Sequence, residues 1–226
     1  MSHLRRFTSL AFAVLVTLIL SSSAQAAVMF KTDFDPSTWT ATQVGGSGSH
    51  TFTPTENAGG NGDSSALNIY SYLTGGSTSI GYFISFDGLT YNPGTQGAID
   101  SIDFSLDRMR IPTPYGGHGY GIAMQQDGIV YYRGTTANTS NAWGQFTDSG
   151  LTSVDFFSFF SSGPGLDLGG TGTEIQFGMV IYSGNGGSPQ RYDQTRYDNY
   201  SVTLNEAASV PVPAPIALIA LAGLAV

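Results

Sequence analysis

Apolar and polar residues alternate along most of the chain between residues 28 and 204. A period of two places successive side chains on opposite faces, so this alternation predicts β-strands that bury one face. In the clearest example, Ile102, Phe104 and Leu106 share one face, and the polar residues between them share the other. The same pattern predicts strands over 28–34, 50–53, 66–73, 79–86, 98–107, 120–126, 129–133, 143–146, 154–160, 174–182 and 197–204.

Two Asp-Gly pairs, Asp87-Gly88 and Asp127-Gly128, follow predicted strands. Glycine adopts positive φ without steric cost, so each pair predicts a tight hairpin turn. Short alternating strands must bury one face against a second sheet, and no segment between them has the period of an amphipathic helix. The predicted fold class is therefore all-β, a two-sheet antiparallel β-sandwich.

Composition agrees with this prediction. The 226 residues include 30 Gly, 14 Phe and 12 Tyr, and only 11% are charged, which favours strands and tight turns over helices. The chain has no Cys, so any stability outside the cell must come from packing, hydrogen bonds or bound ions rather than disulfides.

Residues 1–26 have the pattern of a secretory signal peptide. Arg5 and Arg6 form its positive region, residues 10–20 its apolar core, and Ala24 and Ala26 the small-residue site after which signal peptidase is expected to cut. Removing this leader leaves 6 of the 8 basic residues against 16 acidic ones, a formal charge of -10. That balance argues against nucleic acid as a partner, because phosphates require Lys and Arg.

The end of the chain combines alternate prolines with an uncharged apolar run. Pro211, Pro213 and Pro215 lack backbone donors, so neither a helix nor a central strand continues through them. The following residues 216–226 are apolar, but 11 residues are fewer than the roughly 20 that a helical membrane span needs.

This tail, with the motif formed by Val210, Pro211, Pro213 and Ala214 before an apolar run, resembles the PEP-CTERM sorting signals of Gram-negative bacteria in their VPxPA-like variant. The resemblance implies a transient membrane anchor, an exosortase that cuts near the motif in the inner membrane, and release to the cell surface or extracellular matrix. Val212 replaces the usual Glu and no basic cluster follows, so we expect the sequence to be truncated within its hydrophobic sorting helix. The predicted domains are 1–26 signal peptide, 27–205 β-sandwich, 206–215 Pro-rich linker and sorting motif, and 216–226 hydrophobic membrane segment.

The chemistry-bearing residues match no common catalytic pattern. Glycoside hydrolysis needs two carboxylates about 5–9.5 Å apart. Asp100 and Asp103 point to opposite faces, and Asp103 and Asp107 lie roughly 13 Å apart along one strand, although a pair from two strands stays open. A Ser-His-Asp site would have to use His50 or His118, but no Gly-x-Ser-x-Gly elbow presents a nucleophilic serine. His118 is expected in a flexible glycine-rich loop. We therefore expect a protein that is not an enzyme.

The region 28–204 also resembles jelly-roll, laminin-G and concanavalin-like β-sandwich modules, on residues 34–39, 59–62 and 198–202. In jelly-roll carbohydrate-binding modules, an Asp leading into the final strand often meets the first loops at a structural calcium ion, and the resemblance implies this role for Asp198. Hard oxygen ligands for Ca²⁺ are plentiful in the chain, and the alternative is that Asp198 caps a turn while Asp33 and Asp35 are solvated loop acids. The predicted ligands are Asp33, Asp35, Asn61, Asp63 and Asp198.

Aromatic residues outside the predicted core suggest glycan binding, because sugar C–H faces stack on rings while polar neighbours bond the hydroxyls. The predicted glycan residues are Asn68, Tyr70 and Tyr72 on one outward strand face, and Tyr115 and Trp143 in or near loops. We thus predict an exported, sorted, non-catalytic β-sandwich that contacts glycan or exopolysaccharide. The alternatives are a structural or adhesive matrix protein without a defined ligand site and, less favoured, a glycoside hydrolase-like enzyme.

Overall fold

The computed structural model describes residues 27–32, 34, 39–47, 50–56, 60–62, 66–74, 79–111, 117–136, 141–159, 162–184 and 190–207. The chain divides into two units, and all of these residues belong to one of them, Ala27–Ala207. The strands are β1 Ala27–Thr32, β2 Trp39–Ser47, β3 His50–Glu56, β4 Leu67–Thr74, β5 Ser79–Tyr91, β6 Ile99–Ile111, β7 Gly117–Gln126, β8 Ile129–Thr136, β9 Gly144–Leu151, β10 Phe157–Ser158, β11 Ile175–Gly184 and β12 Gln190–Glu206.

The strands form two antiparallel sheets. Sheet I has the order β3-β4-β12-β6-β9, with β1 also paired to β12. Sheet II has the order β10-β8-β7-β11-β5-β2. The predicted all-β, two-sheet antiparallel sandwich is therefore confirmed. The predicted signal peptide and sorting helix lie outside the described residues.

The two sheets bury their alternating apolar residues against each other. Ile102, Phe104 and Leu106 are buried on one face of β6, as the period of two predicts. Tyr200 of β12 lies at the centre, with its ring centroid 4.6 Å from that of Phe86 and 5.5 Å from that of Phe104. Its hydroxyl donates to the Gly178 carbonyl across the sandwich at 2.9 Å, and burial raises the Tyr200 pKa well above its ordinary value. This hydrogen bond ties sheet I to sheet II.

One of the two predicted hairpins is confirmed. Gln126 lies opposite Ile129, and the two residues between them, Asp127 and Gly128, both have positive φ, 51° and 78°. Two consecutive positive φ values belong to the type I′ turn, whose twist matches that of paired strands.

The hairpin predicted at Asp87-Gly88 is wrong, because β5 continues through both residues. Gly178 of β11 pairs with Ser85, whereas Gln176 pairs with Thr90, so the extra residues of β5 form a bulge. The Gln176 side-chain amide donates to the carbonyls of Phe86 and Leu89, at 2.6 and 3.2 Å. These bonds satisfy bulged carbonyls that the ladder leaves unpaired.

Helices in the described residues are short. They are the single turn α1, Pro93–Gln96, and a 3-10 turn at Ser153–Asp155. The continuous strand predicted over 154–160 is wrong, because the 3-10 turn interrupts it and only Phe157–Ser158 form a strand, β10. None of them is long and apolar enough to cross a membrane.

Strand β12 pairs with three other strands of sheet I. On one edge it pairs with β6. On the other edge, β4 pairs with residues 190–197 and β1 pairs with residues 200–205, so these two strands meet end to end. Asp198 and Asn199 lie at this junction, and Asn199 has a positive φ of 50° at a register shift in the ladder.

Candidate functional site

Four polar residues meet at the junction of β1, β4 and β12, and we call Asn61, Asp107, Asp198 and Asn199 the junction cluster. Asp198 and Asp107 lie directly opposite each other on β12 and β6. The two Asp198 carboxylate oxygens accept the backbone N–H groups of Asn61 and Asn199, at 2.5 and 2.8 Å. The side-chain amides of Asn61 and Asn199 both donate to Asp107 Oδ2 at 2.8 Å. The cluster thus fixes the chain around Asn61 to the centre of sheet I.

The junction cluster concentrates negative charge in a buried place. Asp107 is 5% exposed and Asp198 is 0% exposed. Like charges directly opposite in a ladder repel each other. The backbone N–H groups and the side-chain amides of Asn61 and Asn199 offset only part of this repulsion. Asp107 Oδ1 is buried without a hydrogen-bond partner in the described part of the chain. An unpartnered carboxylate oxygen beside a second carboxylate is suited to a hard cation.

The predicted calcium ligands are brought together only in part. Asn61 and Asp198 meet in the junction cluster, whereas Asp33, Asp35 and Asp63 lie outside the described residues. Thr32, which directly precedes Asp33 in the chain, pairs with Tyr200 beside the cluster. The described residues contain no group of three or more acidic or His side chains suited to a metal, so Asn oxygens would have to complete the donor set. Sequence reasoning missed Asp107 and Asn199 as members of this site, because Asp107 lies on the polar face of its predicted strand and only the strand pairing reveals its partner.

A second set of polar and aromatic side chains lies on the outer face of sheet I, which we define by Asn68, Tyr70, Met109, Gln194 and Arg196. Arg196 of β12 lies between its cross-strand neighbours Asn68 of β4 and Met109 of β6. Tyr70 lies opposite Gln194 in the adjacent row. Tyr70, Met109, Gln194 and Arg196 are all partly exposed. This face therefore offers a ring, an amide and a guanidinium within one small area.

Asn68 occupies the predicted face but is not accessible. It is 0% exposed, and its Oδ1 accepts a hydrogen bond from Gln194 Nε2 at 3.1 Å. The same Gln194 nitrogen donates to the Tyr70 hydroxyl oxygen at 2.9 Å. Buried Asn68 thus orients Gln194, which in turn hydrogen bonds to Tyr70. A ligand on this face would contact Tyr70 and Gln194 rather than Asn68.

The other predicted glycan residues have different outcomes. The backbone of Tyr72 continues β4 and pairs with Tyr192, but its side chain is outside what is described. Tyr115 lies outside the described residues. Trp143 is partly exposed and directly precedes β9, whose first residue pairs with Arg108. Tyr70 is therefore the predicted ring that the structure locates firmly on the outer face of sheet I.

The histidine expected in a flexible loop is instead part of a buried network between the sheets. His118 belongs to β7 and is 2% exposed. Its Nδ1 lies 3.0 Å from Ser183 Oγ, and its Nε2 is hydrogen bonded to the Tyr197 hydroxyl. The Tyr197 ring also stacks on the imidazole. This burial is consistent with a structural role for His118.

The facing carboxylates of Asp107 and Asp198 do not favour hydrolysis. Asp107 and Asp198 are near enough to consider, but both are buried beneath the chain at Asn61. A glycosidase acid and nucleophile must both contact the scissile bond. This pair is therefore better explained as a structural site.

Comparison with known proteins yields distant likenesses to solved structures. No family model and no curated protein matches this chain. A family 11 carbohydrate-binding module from Clostridium thermocellum, in complex with a β-1,3-1,4-mixed-linked tetrasaccharide, is 13% identical with a TM-score of 0.47, covering 83% of this chain and 100% of that one. A carbohydrate-binding module described for specific mannan recognition is 13% identical with a TM-score of 0.43, covering 80% and 99%. At such identities and TM-scores, these structures assign no ligand to this chain.

Proposed function

We propose that this protein is a non-catalytic, glycan-contacting β-sandwich whose binding surface is the outer face of sheet I. The observation that carries the proposal is the strand register that gathers Tyr70, Gln194 and Arg196 on one partly exposed face. Tyr70 offers a ring for stacking on a sugar, and the flanking amide and guanidinium offer hydrogen bonds to its hydroxyls. Gln194 is already oriented by Asn68, which lowers the entropy cost of ordering it on binding.

Affinity gel electrophoresis across a broad polysaccharide panel tests this proposal. We expect retardation by at least one polymer, loss of that retardation in Tyr70→Ala, and its retention in Tyr70→Phe, which keeps the ring. Phe157→Ala is the matched control, since Phe157 is an exposed aromatic residue on β10 of sheet II. Absence of retardation throughout the panel, or equal retardation of wild type and Tyr70→Ala, would contradict the proposal. It would favour the alternative of a structural or adhesive matrix protein.

We further propose that the junction cluster binds a structural calcium ion. The proposal is supported by two facing carboxylates, the unpartnered Asp107 Oδ1, and the amide groups of Asn61 and Asn199, whose rotation by 180° would turn oxygens toward the ion. Asp33, Asp35 and Asp63 remain predicted ligands by their positions in the sequence. Bound ion would hold β1, β4 and the chain at Asn61 together. A melting temperature that responds neither to EDTA nor to millimolar Ca²⁺ would reject this site.

Export and sorting complete the proposed function. The predicted signal-peptidase site after Ala26 directly precedes Ala27, the first residue of β1, and the predicted sorting motif begins four residues after β12 ends at Glu206. Ala27 also pairs with the backbone of Asn205, so in sequence both predicted cuts lie just beyond the ends of two neighbouring strands, β1 and β12. We propose an inner-membrane intermediate, exosortase processing near Val210 and release to the cell surface or matrix. Mass spectrometry of the termini of the surface-fraction protein tests this, and an intact leader and tail would contradict it.

A further inference from the structure

Arg196 carries an unused hydrogen-bonding capacity on the proposed glycan face. Its Nε is buried and has no hydrogen-bond partner, and Arg196 forms no hydrogen bond or ion pair with any residue that the structure describes. A buried guanidinium donor without a partner is unfavourable, because the group has lost water without gaining a replacement. Arg196 as a whole is partly exposed, so its guanidinium lies at the surface without a hydrogen-bond partner among the described residues.

The neighbouring acids do not fill this role. Asp198 lies two residues from Arg196 on the same face of β12, about 7 Å along the strand. Both Asp198 oxygens, however, accept backbone N–H groups in the junction cluster. Asp107 lies diagonally across on β6, and its Oδ2 accepts two side-chain amides. Both Asp198 oxygens and Asp107 Oδ2 are thus engaged by other donors, and Asp107 Oδ1 makes no hydrogen bond to Arg196.

From this arrangement we infer that the glycan bound at the outer face of sheet I is anionic, and that Arg196 recognises its acidic group. A guanidinium presents a planar set of donors that matches a carboxylate or a sulfate. Tyr70 and Gln194 lie one row away, about 7 Å along the strands, so one sugar can contact the ring and amide while its acidic substituent contacts Arg196. This inference rests on the proposed glycan-binding function and adds the class of ligand.

The acids that oppose an anion here are Asp198, about 7 Å along β12, and Asp107 on β6, and a cation bound in the junction cluster would offset part of their repulsion. Acids at the strand ends contribute little. Asp100 and Glu206 lie at the far ends of β6 and β12, about 30 Å from Arg196 by strand rise. The Debye length at physiological salt is about 8 Å, so their repulsion of a bound anion is strongly screened. Local charge therefore decides which polymers bind here.

The test compares polymers that share a backbone and differ only in their acidic groups. The full chain, purified in mild detergent, is run against polygalacturonate, alginate and hyaluronate, each beside its carboxyl-reduced form, and against dextran sulfate beside dextran. We expect wild type to bind at least one anionic polymer about tenfold or more tightly than its neutral counterpart. Preference for a carboxylated or for a sulfated polymer identifies which acidic group Arg196 recognises.

Variants separate recognition by Arg196 from general charge effects. Arg196→Gln should lose the preference for the anionic polymer, and Arg196→Lys should keep only part of it, since lysine lacks the planar fork. Arg133→Gln removes the same charge from an ion pair with Asp148 on other strands and should keep the full preference. Equal binding of anionic and neutral polymers, or an undiminished preference in Arg196→Gln, overturns the inference while glycan binding itself stands. No binding to any polymer overturns both.

Discussion

Replacement of Asp107 by Asn should have effects of opposite sign with and without calcium. Asn has nearly the same shape as Asp, and its Oδ1 can accept the amides of Asn61 and Asn199 that now bond Asp107 Oδ2. Without a cation, the substitution removes the repulsion between Asp107 and Asp198, which lie directly opposite each other. Cross-strand pair effects are about 0.2–1 kcal/mol, so we expect a gain in stability of up to about 1 kcal/mol.

With calcium, the order of stability should reverse. An ion that binds only the folded state stabilises it by about 2.7 kcal/mol at a concentration 100 times its Kd. For a domain of this size, 1 kcal/mol shifts the melting temperature by about 2–4 °C, so wild type should gain about 5–11 °C. Asp107→Asn removes a charged ligand and should gain little.

Thermal unfolding of wild type, Asp107→Asn and Asp103→Asn, each in EDTA and in Ca²⁺, measures both effects. Asp103 is the matched control, because it lies on the same strand and accepts hydrogen bonds from Gly150 and Asn205, away from the cluster. We expect Asp103→Asn to respond to calcium as wild type does. A lower stability of Asp107→Asn than of wild type in EDTA, together with an equal response of all three proteins to calcium, would exclude a cation site at Asp107.

Three further predictions concern the fold. Burial, with the nearby Glu206 carboxylate, raises the pKa of Tyr91 to about 12 from an ordinary value of 10.0. The native state therefore holds the Tyr91 hydroxyl proton more tightly than the unfolded state does. The resulting contribution to folding stability is present below pH 10 and should be lost between about pH 10 and 12. Urea unfolding at several pH values should show a shallower loss in Tyr91→Phe, and identical slopes would contradict this assignment. Tyr200→Phe removes the bond to the Gly178 carbonyl and should cost about 1–3 kcal/mol in chemical denaturation, so an unchanged midpoint would show that this bond does not stabilise the sandwich. A Cβ on Gly121 would lie 2.0 Å from the Arg133 carbonyl oxygen, whereas a Cβ on Gly144 would meet nothing within 4 Å. Circular dichroism should therefore show a folding defect in Gly121→Ala but not in Gly144→Ala. Equal melting temperatures of the two variants would contradict a steric clash at Gly121.

The buried faces of several strands could be predicted from the sequence because burial imposes the period of two directly on local residues, whereas β2, Trp39–Ser47, was not predicted. Leu67, Ile69 and Leu73 are buried on one side of β4 as predicted. Turn chemistry was less decisive. Asp127-Gly128 makes the expected turn, but Asp87-Gly88 lies in a bulge of β5, where Gln176, some 90 positions away in the chain, donates to the flanking carbonyls of Phe86 and Leu89.

The sites depend on pairings between distant strands, which local patterns do not encode. Asp198 was predicted, but its opposition to Asp107 follows from the register of β6 and β12. Asn68 was predicted at the surface from alternation, yet it is buried on the outer face of sheet I. Alternation indicates which side of a sheet a residue occupies, but it does not indicate what lies over that side.

Two-dimensional NMR during titration with a bound polysaccharide fragment locates the glycan-binding surface residue by residue. If the outer face of sheet I binds glycan, the largest amide shifts should map to Tyr70 of β4, Gln194 and Arg196 of β12, and Met109 of β6. Glycine-rich β7, in sheet II on the other side of the sandwich, should remain unperturbed. Shifts confined to sheet II, or saturable binding that leaves these four residues unchanged, would contradict the account.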